Sequence, residues 1–178
     1  MACPLPAWCP SSTARWAPAL SRCWPTTTAT TSRPAPSTRT RGMPTADPLL
    51  LDTHVLLWWQ AGSDRLSPRA RRLIDAAPRL FLSAISVCEL ATLVGQGRIA
   101  LDRPTQIWVH DLLADGIVTI AELTPTIAVA AAQLDDFGGD HADRIIYATA
   151  VQNQLTLVTK DDTMADYART HGDATIEW

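Results

Sequence analysis

Short apolar runs alternate with segments of helical period from Asp47 to the end of this chain. The runs PLLL, RLFLSA, IVTIAEL and TLVT have the length and composition of buried strands. Strands that alternate with helices form right-handed crossovers and a mainly parallel sheet. We therefore predict an α/β fold with a central, mainly parallel sheet of four or five strands and helices on both faces. We expect strands at about 48–52, 79–84, 117–123 and 156–159 with a short edge strand at 174–178, and helices at about 53–61, 67–77, 86–95, 104–114, 125–134, 141–154 and 163–171.

The first 46 residues differ in composition from the rest. They hold 8 of the 13 prolines and five arginines but no acid, whereas all 18 acids lie in residues 47–178. Their formal charge is therefore about +5 against −8 for the remainder. No helical or strand period is present there, so these residues cannot add to a packed core. We expect 1–46 to be a disordered or mis-called extension, with translation starting at Met43, and 47–178 to form one domain.

Cysteine content and hydropathy suggest a compartment. Cys88 is the one cysteine of residues 47–178, and its place on an apolar helix favours a small buried core residue over a nucleophile. A disulfide framework is therefore not expected, which fits a reducing cytoplasm. No apolar run approaches the roughly 20 residues of a membrane span.

Four acidic residues follow or flank the apolar runs. Asp52 follows the first run, Glu89 lies in LFLSAISVCEL, Asp143 opens the helix of GGDHADRIIYATA, and Asp161 is the first aspartate of TLVTKDD. Strand ends and helix starts converge on one crevice in such sheets, most directly if the first and fourth strands are neighbours. Carboxylates gathered there repel unless a cation lies among them. Oxygen donors of this kind suit Mg²⁺, with Mn²⁺ as a substitute, and the waters and a substrate phosphate would complete its coordination.

Each acid also has a structural explanation. Ser86-x-x-Glu89 is a capping-box sequence, and Asp140-x-x-Asp143 is a weaker form of the same device. Asp52 and Asp161 suit turns and helix N-caps. Capping does not explain why the first and fourth strands are both followed by an aspartate. Both hypotheses therefore remain open: acids that cap helices and turns, and acids that share a metal site.

Other catalytic chemistries fit the sequence less well. It has no P-loop, no GxGxxG and no G-x-S-x-G nucleophile elbow. Its histidines are scattered, which disfavours an acid–base pair of imidazoles. Only two of them fall near the acids, where a place on the surface or behind the acids is expected: His54 and His141.

Residues 47–178 resemble the PIN domain, and in particular the VapC-type toxins of bacterial toxin–antitoxin pairs. The resemblance rests on LLLDTHVLLWW, FLSAISVCELATLVGQGRI, LTPTIAVAAAQL, GDHADRIIYATA and TLVTKDD, in that order. It implies a compact three-layer fold and a Mg²⁺- or Mn²⁺-dependent endoribonuclease that hydrolyses RNA through an activated water. By motif position its catalytic and metal-binding acids are Asp52, Glu89, Asp143 and Asp161, with the T-x-D register favouring Asp161 over Asp162. Thr53 and Thr159 would be the supporting hydroxyls.

The resemblance also implies partners. Such toxins are held inactive by a small antitoxin and often form homodimers. Trp58, Trp59 and Trp108 offer more aromatic surface than a small core needs, which suggests an apolar groove for a second chain, although packing alone is an equal explanation. The candidate contacts to RNA phosphates are Lys160, Arg69, Arg71, Arg72, Arg98, Arg103 and Arg144.

Two rival functions remain at this point. A phosphorelay receiver domain would need an aspartate at the end of the third strand, where this sequence has Glu122. A non-catalytic PIN-like binding module would keep the fold without metal-dependent activity. The complete acidic set disfavours both.

Overall fold

A five-stranded, all-parallel sheet organises residues 47–178, the part of the chain that the computed structural model describes. The strand order is β3-β2-β1-β4-β5. The strands are β1 (Leu49–Leu51), β2 (Leu80–Ser83), β3 (Val118–Ala121), β4 (Thr156–Val158) and β5 (Ile176–Glu177), and the helices are α1 (Thr53–Gln60), α2 (Pro68–Ala76), α3 (Ala84–Gly95), α4 (Thr105–Ala114), α5 (Pro125–Ala132), α6 (His141–Asn153) and α7 (Asp162–His171). The expected parallel α/β architecture is confirmed. The expectations for residues 1–46 lie outside this region and remain predictions.

The sheet is buried on both faces, which explains its short apolar strands. Alternate residues of β1 point to opposite sides: Leu49 and Leu51 pack towards α1, α2 and β2, whereas Leu50 packs towards α6, α7 and β4. All three are at most 4% exposed. A strand covered on both faces reads as a continuous apolar run, as LLL does here.

The first and fourth strands are neighbours, the arrangement that brings their aspartates together most directly. Leu51 of β1 pairs with Val158 of β4, so the two strands end side by side. The next residues in the two segments, Asp52 and Thr159, therefore emerge at the same edge of the sheet. The strand order reverses direction at this pair, which is where open α/β sheets bind ligands.

The predicted core position of Cys88 is wrong. Ser86 and Leu90 are buried and lie one turn apart on the inner face of α3. Cys88 lies halfway between them on the opposite face and is an exposed free thiol. Among residues 47–178 no helix is long and apolar enough to cross a membrane.

Candidate active site

The first strand delivers Asp52 to the carboxyl edge of the sheet. The Asp52 amide donates to the Val158 carbonyl at 3.1 Å, which extends the β1–β4 ladder by one residue. Its side chain is buried, because the residue is only 3% exposed. Oδ2 accepts a hydrogen bond from Thr159 Oγ1 at 2.6 Å, and Oδ1 lies 3.2 Å from His54 Nδ1. These partners give the buried carboxylate a fixed orientation.

The same threonine links Asp161 to this carboxylate. Thr159 Oγ1 accepts from the Asp161 amide at 2.9 Å while it donates to Asp52. Asp161 Oδ1 accepts from the amides of Thr163 and Met164 at 2.7 and 3.1 Å, so the side chain caps α7. The N-cap interpretation of Asp161 is therefore confirmed, and the cap uses only one of its two carboxylate oxygens.

The predicted capping box of Ser86 and Glu89 is wrong. β2 runs directly into α3, which begins at Ala84 and places Glu89 in the second turn, away from the free amides at the helix start. Glu89 Oε2 instead accepts from Thr53 Oγ1 at 2.6 Å, at the start of α1. Ser86 Oγ is buried and has no hydrogen-bond partner within residues 47–178. A capping role therefore does not explain Glu89.

Asp143 has the capping role that its spacing predicts. It is the third residue of α6, and its Oδ2 accepts from the Asp140 amide at 3.0 Å. Asp140 is the N-cap, and its Oδ1 accepts from the amides of Ala142 and Asp143 at 2.8 and 3.0 Å. The capping box is complete, and Asp143 Oδ1 makes no hydrogen bond with the described residues. Asp143 can therefore cap α6 with one oxygen and still offer the other to a metal site shared with the other acids.

A glycine before α6 makes room for Asp143. A Cβ at position 139 would lie 2.8 Å from Asp143 Cβ, 2.9 Å from Asp143 Oδ2 and 2.5 Å from Phe137 Cε1. Separations under 3.0 Å force a neighbour to move, so any side chain larger than that of Gly139 would displace the carboxylate or the ring. The position of Asp143 thus depends on this glycine.

Electrostatic interactions connect the four acids. Burial raises the pKa of Glu89, and the charges of Asp52, Asp140 and Asp143 raise it further against the opposing hydrogen bond from Thr53. Burial likewise raises the pKa of Asp143; the Asp140 amide opposes this shift, and the charges of Asp140, Asp161 and Asp52 add to it. The charges of the four predicted acids are thus connected: Asp52 and Asp143 act on Glu89, and Asp52 and Asp161 act on Asp143. Asp140, which the sequence indicated only as a cap, belongs to the same cluster of charge.

The cluster is open rather than closed. Within residues 47–178, no three His, Cys, Asp or Glu side chains are grouped closely enough to hold one metal ion as they stand. Glu89, Asp143 and Asp161 each keep one carboxylate oxygen that no described residue hydrogen-bonds. These oxygens are available to an added ligand, and a cation would relieve the mutual repulsion.

A histidine, a lysine and two tryptophans border the acids. His54 Nε2 accepts from the Lys160 amide at 3.3 Å while its Nδ1 faces Asp52, and its ring lies 4.7 Å from Trp58. Trp58 and Trp178 meet edge to face at 5.7 Å. The place expected for His54, behind an acid, matches this contact. No local pattern in the sequence indicates a place for Trp178 at the site, because β5 brings it there from far along the chain.

Most arginines expected to contact phosphate have partners inside the protein. Arg144 donates to backbone carbonyls before α6: Ala131, Leu134 and Phe137. Arg69 forms an ion pair with Glu177, and Arg103 forms ion pairs with Asp102 and Asp111. Arg71 donates a hydrogen bond to the Ser63 carbonyl. Within residues 47–178, only the side chains of Arg72 and Arg98 among the six arginines lack such a partner.

The three tryptophans singled out in the sequence line one groove. A cavity of about 780 Å³ lies between α1 and α4, and Trp58, Trp59 and Trp108 all contribute to its wall. Ile117, which is 47% exposed, adds apolar surface. Charged side chains lie around the same cavity: Arg65, Asp102, Arg103, Asp111 and Asp115. The groove thus combines an aromatic wall with charges, as interfaces for amphipathic helices do.

Comparisons of the sequence and of the fold with known proteins find the same kind of relative. A family model for the PIN domain matches residues 49–170. Ribonuclease VapC22 of Mycobacterium tuberculosis is 46% identical over 114 residues, which cover 64% of this chain and 86% of that protein. The fold is shared with VapBC-1 from nontypeable Haemophilus influenzae (18% identity, TM-score 0.54, 73% of this chain and 96% of that one). It is also shared with VapBC2 from Rickettsia felis bound to a promoter DNA fragment (16% identity, TM-score 0.53, 74% and 98%).

Proposed function

The chain belongs to the PIN domain family, and from that premise we propose that it is a divalent-metal-dependent endoribonuclease, the VapC-type toxin of a toxin–antitoxin pair. The observation that carries the proposal is the position of Asp52 and Asp161 just after two adjacent parallel strands, where Thr159 hydrogen-bonds to both residues. Glu89 and Asp143 lie near enough for the charge of Asp52 to raise the pKa of each. The name of the 46% identical relative, a VapC ribonuclease, supports the same activity.

We propose that the metal ligands are Asp52, Glu89, Asp143 and Asp161, and that Mg²⁺ is the ion, with Mn²⁺ as its substitute. Carboxylate oxygens are the donors that these hard cations prefer, and three of the four side chains offer an oxygen without a protein donor. When bound, such an ion would lower the pKa of an attacking water and neutralise the charge that develops on the phosphate.

The protein's own residues orient the acids and accept the proton. Thr159 and Thr53 each fix one oxygen, of Asp52 and Glu89 respectively, and leave the carboxylate in one orientation. One of the four carboxylates would take the proton of the water as it attacks the phosphodiester. No side-chain nucleophile is required.

Metal removal tests the activity directly. The purified full chain should cleave a mixed RNA in Mg²⁺ or Mn²⁺, lose cleavage in excess EDTA, and regain it when the metal is restored, as followed by gel electrophoresis. Undiminished cleavage in EDTA would show that the reaction does not need the acids as metal ligands. If metal binds but no RNA is cleaved, the non-catalytic binding module is the better description.

Gly139→Ala provides a test that leaves every acid in place. The new methyl group collides with Asp143, so we expect RNA cleavage to fall by about tenfold or more, as it does when groups that orient ligands are lost. Overpacking should also cost about 1–3 kcal/mol of stability, measured by denaturant unfolding. Gly95→Ala is the matched control, because a Cβ there meets nothing within 4 Å. Equal activity of the two variants would contradict the role of Gly139.

We propose the Trp58–Trp59–Trp108 groove as the site of the cognate antitoxin. Its aromatic wall suits the apolar face of a partner helix, and its charged side chains suit polar residues beside that face. Because Trp58 also touches His54, a helix in the groove would lie close to the acids. A basic side chain from such a helix would compete with the metal there. Homodimer formation remains a prediction from the family alone.

The strand order argues against a phosphorelay receiver. In that fold the third strand lies beside the first at the centre of the sheet. Here β3 is at the edge and pairs only with β2, so Glu122 at its end is remote from the crevice between β1 and β4. The receiver interpretation also leaves Glu89 and Asp143 without roles.

A further inference from the structure

Lys160 presents an unneutralised charge beside the acids. It is the single lysine of the chain, and its side chain is exposed. Nζ lies 5.9 Å from the Trp58 ring centroid and 5.8 Å from that of Trp178, within the range of a cation–π interaction. Within residues 47–178 no carboxylate is within 4 Å of this ammonium. The charge is therefore available to an anion.

A second cavity extends from Asp161, one of the four acids, to Trp178. Its volume is about 570 Å³, within the roughly 300–1,000 Å³ usual for small-molecule sites. Thr159, Lys160 and Asp161 form one side, and Trp178 and Ile176 contribute apolar surface. It is separate from the cavity between α1 and α4, which Trp58 lines without Trp178. The Trp58–Trp178 edge contact lies between the two.

We propose that this second cavity, the Lys160–Trp178 subsite, binds the nucleotide next to the scissile phosphate of a single-stranded RNA. Trp178 would stack the base, and Lys160 would contact the adjoining phosphate. Single-stranded nucleic acids are held in this way, by aromatic rings for the bases and cations along the backbone. The inference rests on the proposed ribonuclease function and assigns one part of its substrate.

The position of the subsite relative to the acids is fixed by hydrogen bonds. The Lys160 amide donates to His54, whose other ring nitrogen faces Asp52, and the neighbouring Asp161 amide donates to Thr159. These contacts hold the backbone of Lys160 and Asp161 in place beside Asp52. A base stacked on Trp178 would therefore lie at a defined distance from the carboxylates that would act on its phosphate. The subsite also supplies the cation that the engaged arginines do not, because most of them already have partners.

Binding of short RNA tests the subsite apart from cleavage. The probe is a fluorescent single-stranded RNA hexanucleotide, mixed with the full chain in Ca²⁺ and followed by anisotropy. We expect Trp178→Leu and Lys160→Met each to raise Kd about tenfold, since stacking is worth roughly that per base. Trp178→Phe should recover most of the affinity. Arg79→Ala changes an exposed cation directly before β2, at the edge of the sheet opposite to the acids, and should bind as the unaltered chain does.

A series of hexanucleotides with one abasic position locates the base. At one position of the series, removal of the base should raise the Kd of the unaltered chain about tenfold. The same oligonucleotide should bind to the Trp178→Leu variant with no further rise in Kd. The inference is overturned if the unaltered chain does not bind the hexanucleotide, or if both variants bind it with unchanged Kd. It is also overturned if the substitutions weaken the antitoxin complex alone, which would assign the surface to the protein partner. Cleavage of longer RNA in Mg²⁺, measured in parallel, shows independently whether the ribonuclease function stands.

Discussion

Replacing any one of the four acids by its amide is expected to abolish RNA cleavage. Asp52→Asn, Glu89→Gln, Asp143→Asn and Asp161→Asn each remove a charge from the cluster while keeping size and most hydrogen bonds. We expect losses of more than about a hundredfold, beyond the 10–100-fold typical of residues that only support metal ligands. Initial rates on one RNA substrate give the comparison.

Asp64→Asn is the control for the loss of one acidic charge. Asp64 is exposed, lines neither cavity and is not among the charges that shift the pKa of Glu89 or Asp143. Its variant should cleave at the rate of the unaltered chain. Retention of cleavage by two of the four amide variants would contradict a shared metal site.

The same variants should separate function from stability. With metal removed, Glu89→Gln is expected to raise the melting temperature at pH 7. The folded-state pKa of Glu89 is raised, so its ionised form destabilises the fold above that pKa, and the gain should disappear as the pH falls through it. Asp143→Asn should give a gain of the same sign, because the pKa of Asp143 is raised too and asparagine can still accept the cap hydrogen bond. Asp161→Asn should change stability little, because asparagine can accept the same cap hydrogen bonds.

The antitoxin complex is expected to depend on the groove tryptophans. Trp59→Ala or Trp108→Ala should raise the Kd of the complex about thirtyfold or more, because buried tryptophans at interfaces are worth at least about 2 kcal/mol each. The Kd is measured by calorimetry with the product of the neighbouring open reading frame. RNA cleavage in the absence of that partner should continue.

Two further variants distinguish a loss of antitoxin binding from a loss of folding. Ile117→Arg places a charge on a residue of the groove that is already 47% exposed, and it should weaken the complex without loss of core packing. Ile107→Ala changes an exposed residue of α4 outside the groove and should bind normally. An unchanged Kd for both tryptophan variants would show that the antitoxin binds elsewhere. If the neighbouring product does not co-purify and expression alone is harmless, the toxin interpretation fails.

The sequence was most informative where one local pattern determined the outcome. Continuous apolar runs predicted the strands, and the usual strand order of a doubly wound sheet made β1 and β4 the expected neighbours. Asp143 followed its capping spacing because helix starts obey local hydrogen-bond rules. These features need only a few neighbouring residues to be recognised.

The sequence-based predictions were wrong or incomplete where tertiary packing determines the position of a residue. The start of α3 was placed at Ser86 because its capping sequence is favourable, but β2 turns into the helix at Ser83 and buries Ser86. Cys88 was assigned to the core because the segment is apolar on several sides, and packing selected the face of Leu90. Trp178 reached the site only through the pairing of β5 with β4, which no local pattern encodes.

Anomalous diffraction from crystals grown with Mn²⁺ tests the central claim most directly. A peak is predicted in the space between the carboxylates of Asp52, Glu89, Asp143 and Asp161, with oxygens of at least two of them at about 2.0–2.3 Å, as expected for small hard cations. The peak should vanish in crystals of Asp143→Asn that keep the same fold. A manganese ion bound elsewhere, or one that persists unchanged in Asp143→Asn, would contradict the metal site.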